Sequence, residues 1–269
     1  MRKFAVIMPL FALVAGAFGF IIRRLELINV FDDFSGMPAR GQPITRTLIA
    51  LSVAVLAISL LFAIFVKINY KSPPGFNRAF STDNVLYPIF FFVMGMAWIL
   101  ATLVNFVGDD SIGTLRTVSI YFAGLSFLAA VSMIIFAGRM YKSPNLKSNA
   151  VLTIVPPLFM CFWLIFLYQS NAANPVLLSY AYHCLALIAS TLSFYLISGY
   201  ACNKGAPGKM VFFSVAAIFF CGVTLADHHS TGTRVIIAVI LVMNFVHLLL
   251  MLRNLQSKSA MEGEETHPA

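Results

Sequence analysis

The chain has 269 residues, of which 60% are hydrophobic and 10% charged, and its formal net charge is +8. Soluble domains carry roughly a quarter charged residues, so this composition excludes a water-soluble globular protein. The mean hydropathy of +0.88 indicates an integral membrane protein. The four cysteines lie in or beside apolar runs without C-x-x-C spacing, which favours buried thiols over a zinc site or a disulfide framework.

Apolar runs of about 20 residues, each long enough to cross a bilayer as a helix, recur along the chain. They predict eight transmembrane helices over residues 4–22, 47–66, 86–107, 118–137, 151–168, 176–200, 210–226 and 235–252. Runs that are apolar along their whole length form helices, because the strands of a membrane barrel alternate in polarity. The predicted fold is therefore an all-α, polytopic bundle of eight spans over residues 1–252, followed by a disordered cytoplasmic tail over residues 253–269.

The first run also fits a cleavable signal peptide, because Met1-Arg2-Lys3 precedes it and Ala15-Gly16-Ala17 lies within it. The apolar stretch continues to Ile22, however, which favours a retained span. The small residues of this run suit close packing on a neighbouring helix: Ala12, Ala15, Gly16 and Gly19. We expect residues 23–46 to form an outer loop that is either a short interfacial helix or a solvated connector.

Two pairs of similar segments suggest an internal repeat. Tyr70-Lys71-Ser72-Pro73 after the second run recurs as Tyr141-Lys142-Ser143-Pro144 after the fourth, and Ser111-Ile112-Gly113-Thr114 resembles Ser230-Thr231-Gly232-Thr233. The second pair predicts a parallel repeat of four plus four spans. Chance is the alternative, because membrane loops use few residue types.

Polar residues within the runs are the candidate ligand-binding groups, because polar groups are costly in hydrocarbon. Pro156-Pro157 is expected to disturb the fifth span by removing two backbone donors. No run contains Asp, Glu, Lys or Arg away from its ends, which argues against a proton relay or a voltage sensor. The candidates are Asn105 in the third run, His183 in the sixth, and Asn244 with His247 in the eighth. Asn244 and His247 share a helix face, and we expect them to contact either a ligand or a neighbouring helix.

No cofactor is predicted. A haem held by two of the candidate histidines is disfavoured, because His183 lies about 10 Å and His247 about 18 Å below the outer starts of their spans. Axial haem ligands lie at similar depths.

The densest polar cluster is predicted at the outer rim. Asp227, His228 and His229 follow the seventh run, and Asp109 and Asp110 follow the third. Imidazole and carboxylate groups together bind divalent metals, so Asp227, His228 and His229 are candidate metal ligands and Asp109 and Asp110 are candidate ligand-binding residues. The alternative is that these side chains form hydrogen bonds at the rim, since adjacent histidines lack the i, i+4 spacing of a helical zinc site.

The basic residues predict the orientation. The chain termini and the even-numbered loops hold twelve of the 18 Lys and Arg residues and a net charge of +8, whereas the odd-numbered loops have a net charge of zero. Positive charge stays in the cytoplasm, so both termini are predicted to be cytoplasmic. The sequence pI of about 9.5 follows from this bias and does not require a nucleic-acid partner.

Several segments together resemble a group of uncharacterised multi-spanning membrane proteins from anaerobic Gram-positive bacteria. The segments are Arg23-Arg24-Leu25-Glu26-Leu27, Gly36-Met37-Pro38, Gly41-Gln42-Pro43, Pro157 with Phe162-Trp163-Leu164-Ile165, Asn174-Pro175, and Thr224-Leu225-Ala226-Asp227-His228. The resemblance implies a location in the bacterial cytoplasmic membrane. It supplies no catalytic residues, because no activity is assigned to the group.

Three functions are consistent with the sequence. The first is a non-enzymatic, permease-type protein with a cavity for a small solute or a lipid. The second is a membrane anchor or scaffold subunit whose basic cytoplasmic face binds a protein partner. The third is an intramembrane enzyme that acts on lipid and uses Asp227, His228 and His229. In each case the protein contacts the lipid bilayer. The sequence does not indicate its oligomeric state.

Overall fold

The computed structural model describes residues 4–30, 42–73, 75–108, 114–140, 150–172 and 176–257. Eight of the helices in these ranges are long and apolar enough to cross a membrane, which confirms the predicted all-α bundle of eight spans. In chain order the elements are α1 (Phe4–Asn29), α2 (Pro43–Asn69), β1 (Tyr70–Lys71), α3 (Phe76–Ala79), α4 (Leu86–Val107), α5 (Thr114–Met140), α6 (Ala150–Ser170), a 3₁₀ turn (Leu177–Ser179), α7 (Ala181–Ala201), α8 (Pro207–Thr224), α9 (Thr231–Asn254) and β2 (Gln256–Ser257).

Helix α8 lies at the centre of the bundle. It packs against α1, α2, α7 and α9, and α9 in turn packs against α4. Helices α5 and α6 complete the bundle between α4 and α7. Most of α8 and α9 is buried, whereas only about a quarter of each of α2, α4 and α5 is, and these three helices expose many large apolar side chains, as expected for helices that face lipid.

Helix α1 is longer than the sequence analysis predicts. It continues from Ile22 to Asn29, about two further turns, so the predicted outer loop at residues 23–46 begins later than expected. Arg23 and Glu26 therefore lie within a membrane-length helix, and both side chains are fully buried. The first apolar run, residues 4–22, contains no charged residue, but the helix built on it extends beyond the run and includes this ion pair.

Small residues bring α1 and α8 into direct backbone contact, as the sequence predicts. A Cβ atom on Gly222 of α8 would lie 2.9 Å from the Cα of Gly16 of α1, which is closer than packed atoms approach. A Cβ atom on Gly19 would lie 2.6 Å from the side chain of Val223. Glycine at these positions is what permits the close approach of the two helices.

Helix α6 runs through Pro156 and Pro157 without a break. Pro157 has no N–H to donate to the carbonyl of Thr153 one turn earlier. The hydroxyl of Ser198 on α7 donates to that carbonyl instead. The predicted disturbance of this helix is thus compensated by a hydrogen bond from a neighbouring helix, as is common in membrane helices.

The bundle has two polar ends. At one, which we call the Asp227 end, Arg23 contacts Asp227 and the 3₁₀ turn, and Asn105 contacts Thr233. At the other, which we call the Lys67 end, β1 pairs antiparallel with β2, so that Tyr70 lies opposite Ser257. Arg253 and Asn254 of the predicted tail therefore belong to α9, and Gln256 and Ser257 form β2, whereas residues 258–269 lie outside the described ranges.

Candidate functional site

A buried ionic cluster occupies the Asp227 end. The Nε of Arg23 donates to Asp227 Oδ1 at 2.7 Å, and an Nη of Arg23 donates to Glu26 Oε2 at 2.8 Å. Charges in a dry site are stable only when they are paired and hydrogen-bonded, which this geometry provides. The second oxygen of Glu26, Oε1, has no hydrogen-bond partner among the described residues.

Arg23 also joins α1 to the turn before α7. Its second Nη donates to the carbonyl oxygens of Leu178 at 3.1 Å and Ser179 at 3.4 Å. Its guanidinium carbon lies 5.1 Å from the centre of the Tyr182 ring, which is within the range of a cation–π contact. One side chain therefore connects α1, the start of α7 and the α8–α9 turn.

The hydrogen bonds continue from Asp227 to a pair of histidines. Thr224 donates to Asp227 Oδ2 at 2.9 Å, and its hydroxyl lies 3.3 Å from Nε2 of His229. The rings of His229 and His183 are 4.6 Å apart between centroids. Burial lowers the pKa of His229 below its ordinary value, while the Asp227 carboxylate and the contact with Thr224 act in the opposite direction. The net shift is downward, so His229 is neutral at pH 7.

His183, Asp227 and His229 border a cavity of about 610 Å³ that lies between α6, α7 and the α8–α9 turn. Its volume is in the range of small-molecule sites. Trp163 lies seven residues before the end of α6, so the cavity reaches about 10 Å into the bundle. The side chains that line the cavity and carry polar groups are Trp163, Ser170, Asn171, Ser179, Tyr180, His183, Asp227, His228, His229, Ser230 and Thr233.

A second cavity of about 430 Å³ adjoins the first. The two share Trp163, Phe166, Ser230 and Thr233 in their walls. Asn105 lines the second cavity, where its Nδ2 donates to Thr233 at 3.2 Å and its Oδ1 accepts from Ser230 at 2.7 Å. The structure thus brings two of the sequence-predicted ligand candidates, Asn105 and His183, to the walls of adjoining cavities.

The other two candidates within the spans lie away from these cavities. Asn244 accepts a hydrogen bond from Ser193 at 2.6 Å and donates to the Ile240 carbonyl at 2.9 Å. Ser193 also contacts Ser214 at 2.8 Å, so this cluster ties α7, α8 and α9 together. Asn244 therefore contacts a neighbouring helix, as one of the two sequence alternatives expects. Its role as a ligand contact stays a prediction.

His247 is fully buried in an aromatic cluster. One ring nitrogen, Nδ1, lies 2.8 Å from the Met243 carbonyl, and the ring packs edge-on against Phe80 and Phe91. Its Nε2 has no hydrogen-bond partner among the described residues. His247 does not line either cavity, and its role as a ligand contact stays a prediction.

The three predicted metal ligands, Asp227, His228 and His229, all border the larger cavity. In the described ranges no three His, Cys, Asp or Glu side chains are arranged to hold a metal ion. Both oxygens of Asp227 already accept hydrogen bonds, from Arg23 and Thr224, so a metal ion would compete with the Arg23 cation for this carboxylate. Asp109 and Asp110 lie outside the described residues. The metal site at Asp227, His228 and His229 therefore remains a prediction.

Sequence reasoning missed Arg23 and Glu26 as members of this site. Their i, i+3 spacing is the signal that was present, because it places both side chains on one face of a helix. The partner that buries them, Asp227, lies 204 residues further along the chain, and hydropathy does not reveal such a pairing.

Eight membrane-length helices, of which α8 and α9 are the most buried, define a multi-pass membrane protein built as an all-helical bundle. Comparison of the chain with protein-family models, curated proteins and solved structures finds no match.

Proposed function

We propose that this protein is a permease for a small solute and that the two adjoining cavities at the Asp227 end form its solute site. The observation that carries the proposal is a pocket of about 610 Å³, lined by imidazole, amide and hydroxyl groups, that penetrates a bundle whose core is mainly apolar. Concave sites with a few convergent polar groups are where small molecules bind. Asn105 and His183 are the proposed ligand contacts.

The charge distribution supports an outward-facing cavity. The described residues at the Lys67 end carry six basic side chains and Asp83 as their acidic one: Lys67, Lys71, Arg78, Lys204, Lys209 and Arg253. The positive-inside rule assigns this end to the cytoplasm, so the Asp227 end faces outward. On the basis of this charge bias and the sequence resemblance, we propose that the protein lies in a bacterial cytoplasmic membrane with both termini inside.

Uptake by reconstituted vesicles tests the proposal. Vesicles containing the protein are incubated with a defined mixture of small solutes, and the solutes retained inside are identified by mass spectrometry. We expect at least one solute to accumulate above the level in protein-free vesicles. Its accumulation should fall by at least ~tenfold in Asn171→Trp and Thr233→Trp, because an indole in the wall occupies part of the cavity.

Val104→Trp is the matched control, since the Val104 side chain is 56% exposed on the lipid-facing side of α4. It should retain native uptake. Failure of any solute to accumulate, or full uptake by both cavity variants, would contradict a permease that uses this site.

The basic Lys67 end also favours a second candidate, an anchor subunit that binds an acidic partner. Native mass spectrometry of protein extracted in mild detergent from its own membranes tests this function. A stoichiometric protein partner that dissociates at high salt would support it, because salt screens exposed charges. A single chain or a homo-oligomer would count against it.

A further inference from the structure

The larger cavity at the Asp227 end is lined by residues that carry hydrogen-bonding groups, and one of these residues has a buried polar atom that is unsatisfied. His183 lines the cavity and is only 4% exposed. Its Nε2 has no hydrogen-bond partner among the described residues. An unpartnered buried polar atom costs free energy unless something binds it. Asn171, Ser230 and Thr233 add amide and hydroxyl groups to the same walls.

The described walls of this cavity carry no charge that is free to bind an ion. Asp227 is the acidic residue among them, and both of its oxygens accept hydrogen bonds from Arg23 and Thr224. Arg23 itself is committed to Asp227, Glu26 and two backbone carbonyls. An anionic ligand would therefore lose its hydration without gaining an opposite charge, and a cationic ligand would have to compete with Arg23 for the Asp227 carboxylate, so both are disfavoured.

Aromatic side chains form much of the remaining wall. Trp163 and Phe166 border both cavities, and Tyr180 borders the larger one. The Trp163 ring meets the His183 ring nearly at right angles, with centroids 5.4 Å apart, so the imidazole that carries the unpartnered Nε2 lies next to an indole. Flat rings bind such surfaces by stacking, with little dependence on the particular ring.

We propose that the cavity binds an uncharged, planar heteroaromatic ring that carries both hydrogen-bond donors and acceptors, with the ring against Trp163 and Phe166 and a polar edge at His183. This inference rests on the proposed function, because it names the substrate class of the same site. A volume of about 610 Å³ accommodates a one- or two-ring compound of this kind.

Tryptophan fluorescence provides a direct test, because the chain has two tryptophans, Trp98 and Trp163. In the Trp98→Phe protein the remaining indole lines the cavity and reports on ligands that stack against it. Four probes are titrated: nicotinamide and adenine, which are uncharged heteroaromatics, nicotinate, which is the charged analogue of nicotinamide, and cyclohexanecarboxamide, which keeps the amide without the aromatic ring.

We expect nicotinamide or adenine to change the fluorescence saturably. Nicotinate and cyclohexanecarboxamide should bind at least ~tenfold more weakly, which corresponds to about 1.4 kcal/mol. His183→Leu should weaken the binding of the heteroaromatic by a similar factor. Tyr195→Leu on the lipid-facing side of the same helix, where the side chain is 63% exposed, should bind as the parent does.

The proposal is overturned if neither heteroaromatic binds, if nicotinate or cyclohexanecarboxamide binds as well as nicotinamide, or if His183→Leu leaves the affinity unchanged. Should Trp98→Phe fail to fold, equilibrium dialysis of radiolabelled nicotinamide and adenine against the native chain replaces fluorescence and is judged by the same outcomes. Uptake of other solutes without heteroaromatic binding would overturn this inference and leave the permease in place. Binding of a heteroaromatic without uptake of any solute would contradict the permease and leave the inference about the ligand in place.

Discussion

Arg23 connects three parts of the chain at the Asp227 end, and its removal should destabilise the protein. The Arg23→Leu variant leaves Glu26 and Asp227 as two buried carboxylates without their shared cation. Breaking a buried ion pair in this way costs about 3–5 kcal/mol. We expect a large fall in the thermal unfolding midpoint in detergent.

The neighbouring Arg24 provides the control for this experiment. It carries the same charge on the same helix but is exposed. Arg24→Leu should change stability by less than about 1 kcal/mol, because exposed charges contribute little. Equal loss in the two variants would mean that the buried cluster is not a source of stability.

His229 should make the protein less stable in mild acid. Burial lowers the pKa of His229 in the folded state, whereas the unfolded chain binds this proton near pH ~6.5. The unfolded state therefore binds more protons below that pH, and the stability that His229 contributes at pH 7 is lost as the pH falls. Unfolding midpoints measured between about pH 7.5 and about pH 5 should decline.

The paired variants His229→Gln and His228→Gln isolate this effect. His228 is exposed, so its replacement should leave the decline as it is in the native chain. His229→Gln should show a shallower decline. A decline of the same slope in all three proteins would assign the acid sensitivity to other groups.

At the scale of elements, the contact between α1 and α8 depends on the absence of side chains. Gly222→Ala places a methyl group against the backbone of Gly16 and should force the helices apart at a cost of about 1–3 kcal/mol. Gly124→Ala on α5 is the matched control, because a Cβ atom there meets nothing within 4 Å. Thermal unfolding in detergent should show destabilisation in Gly222→Ala and none in Gly124→Ala, where alanine is the better helix former. A Gly222→Ala protein as stable as the native one would show that the two helices are not in backbone contact.

The sequence predicts the elements well where hydropathy determines them. Eight apolar runs correspond to eight long helices, and Gly16 and Gly19 of the first run pack closely on a neighbouring helix, which is α8. Hydropathy fails at the end of α1, because a charged pair looks like a loop until its buried partner Asp227 is known. At Pro157 the lost backbone donor was predicted, but the compensating hydroxyl of Ser198 was not, because it comes from another helix. Both features depend on long-range pairing, which a local window does not contain.

At the scale of the whole molecule, the candidate site was predicted in part. The sequence placed Asp227, His228 and His229 at one rim, and in the structure they border the larger cavity together with His183. The aromatic walls were not predicted, because Trp163 and Phe166 are indistinguishable from lipid-facing residues in an apolar run. The internal repeat and the metal site stay predictions.

The central proposal is that a solute enters the cavity at the Asp227 end from the outer side of the membrane, and sided cysteine labelling tests it most directly. The four native cysteines are replaced with alanine, and single cysteines are introduced as Thr233→Cys in the cavity wall, Val104→Cys on the lipid-facing side of α4 and Ser72→Cys at the Lys67 end. We predict that a membrane-impermeant thiol reagent added to intact cells modifies Thr233→Cys, spares Val104→Cys, and reaches Ser72→Cys only after the membrane is permeabilised. Labelling of Ser72→Cys from outside would contradict the orientation, and failure to label Thr233→Cys from either side would contradict the cavity itself.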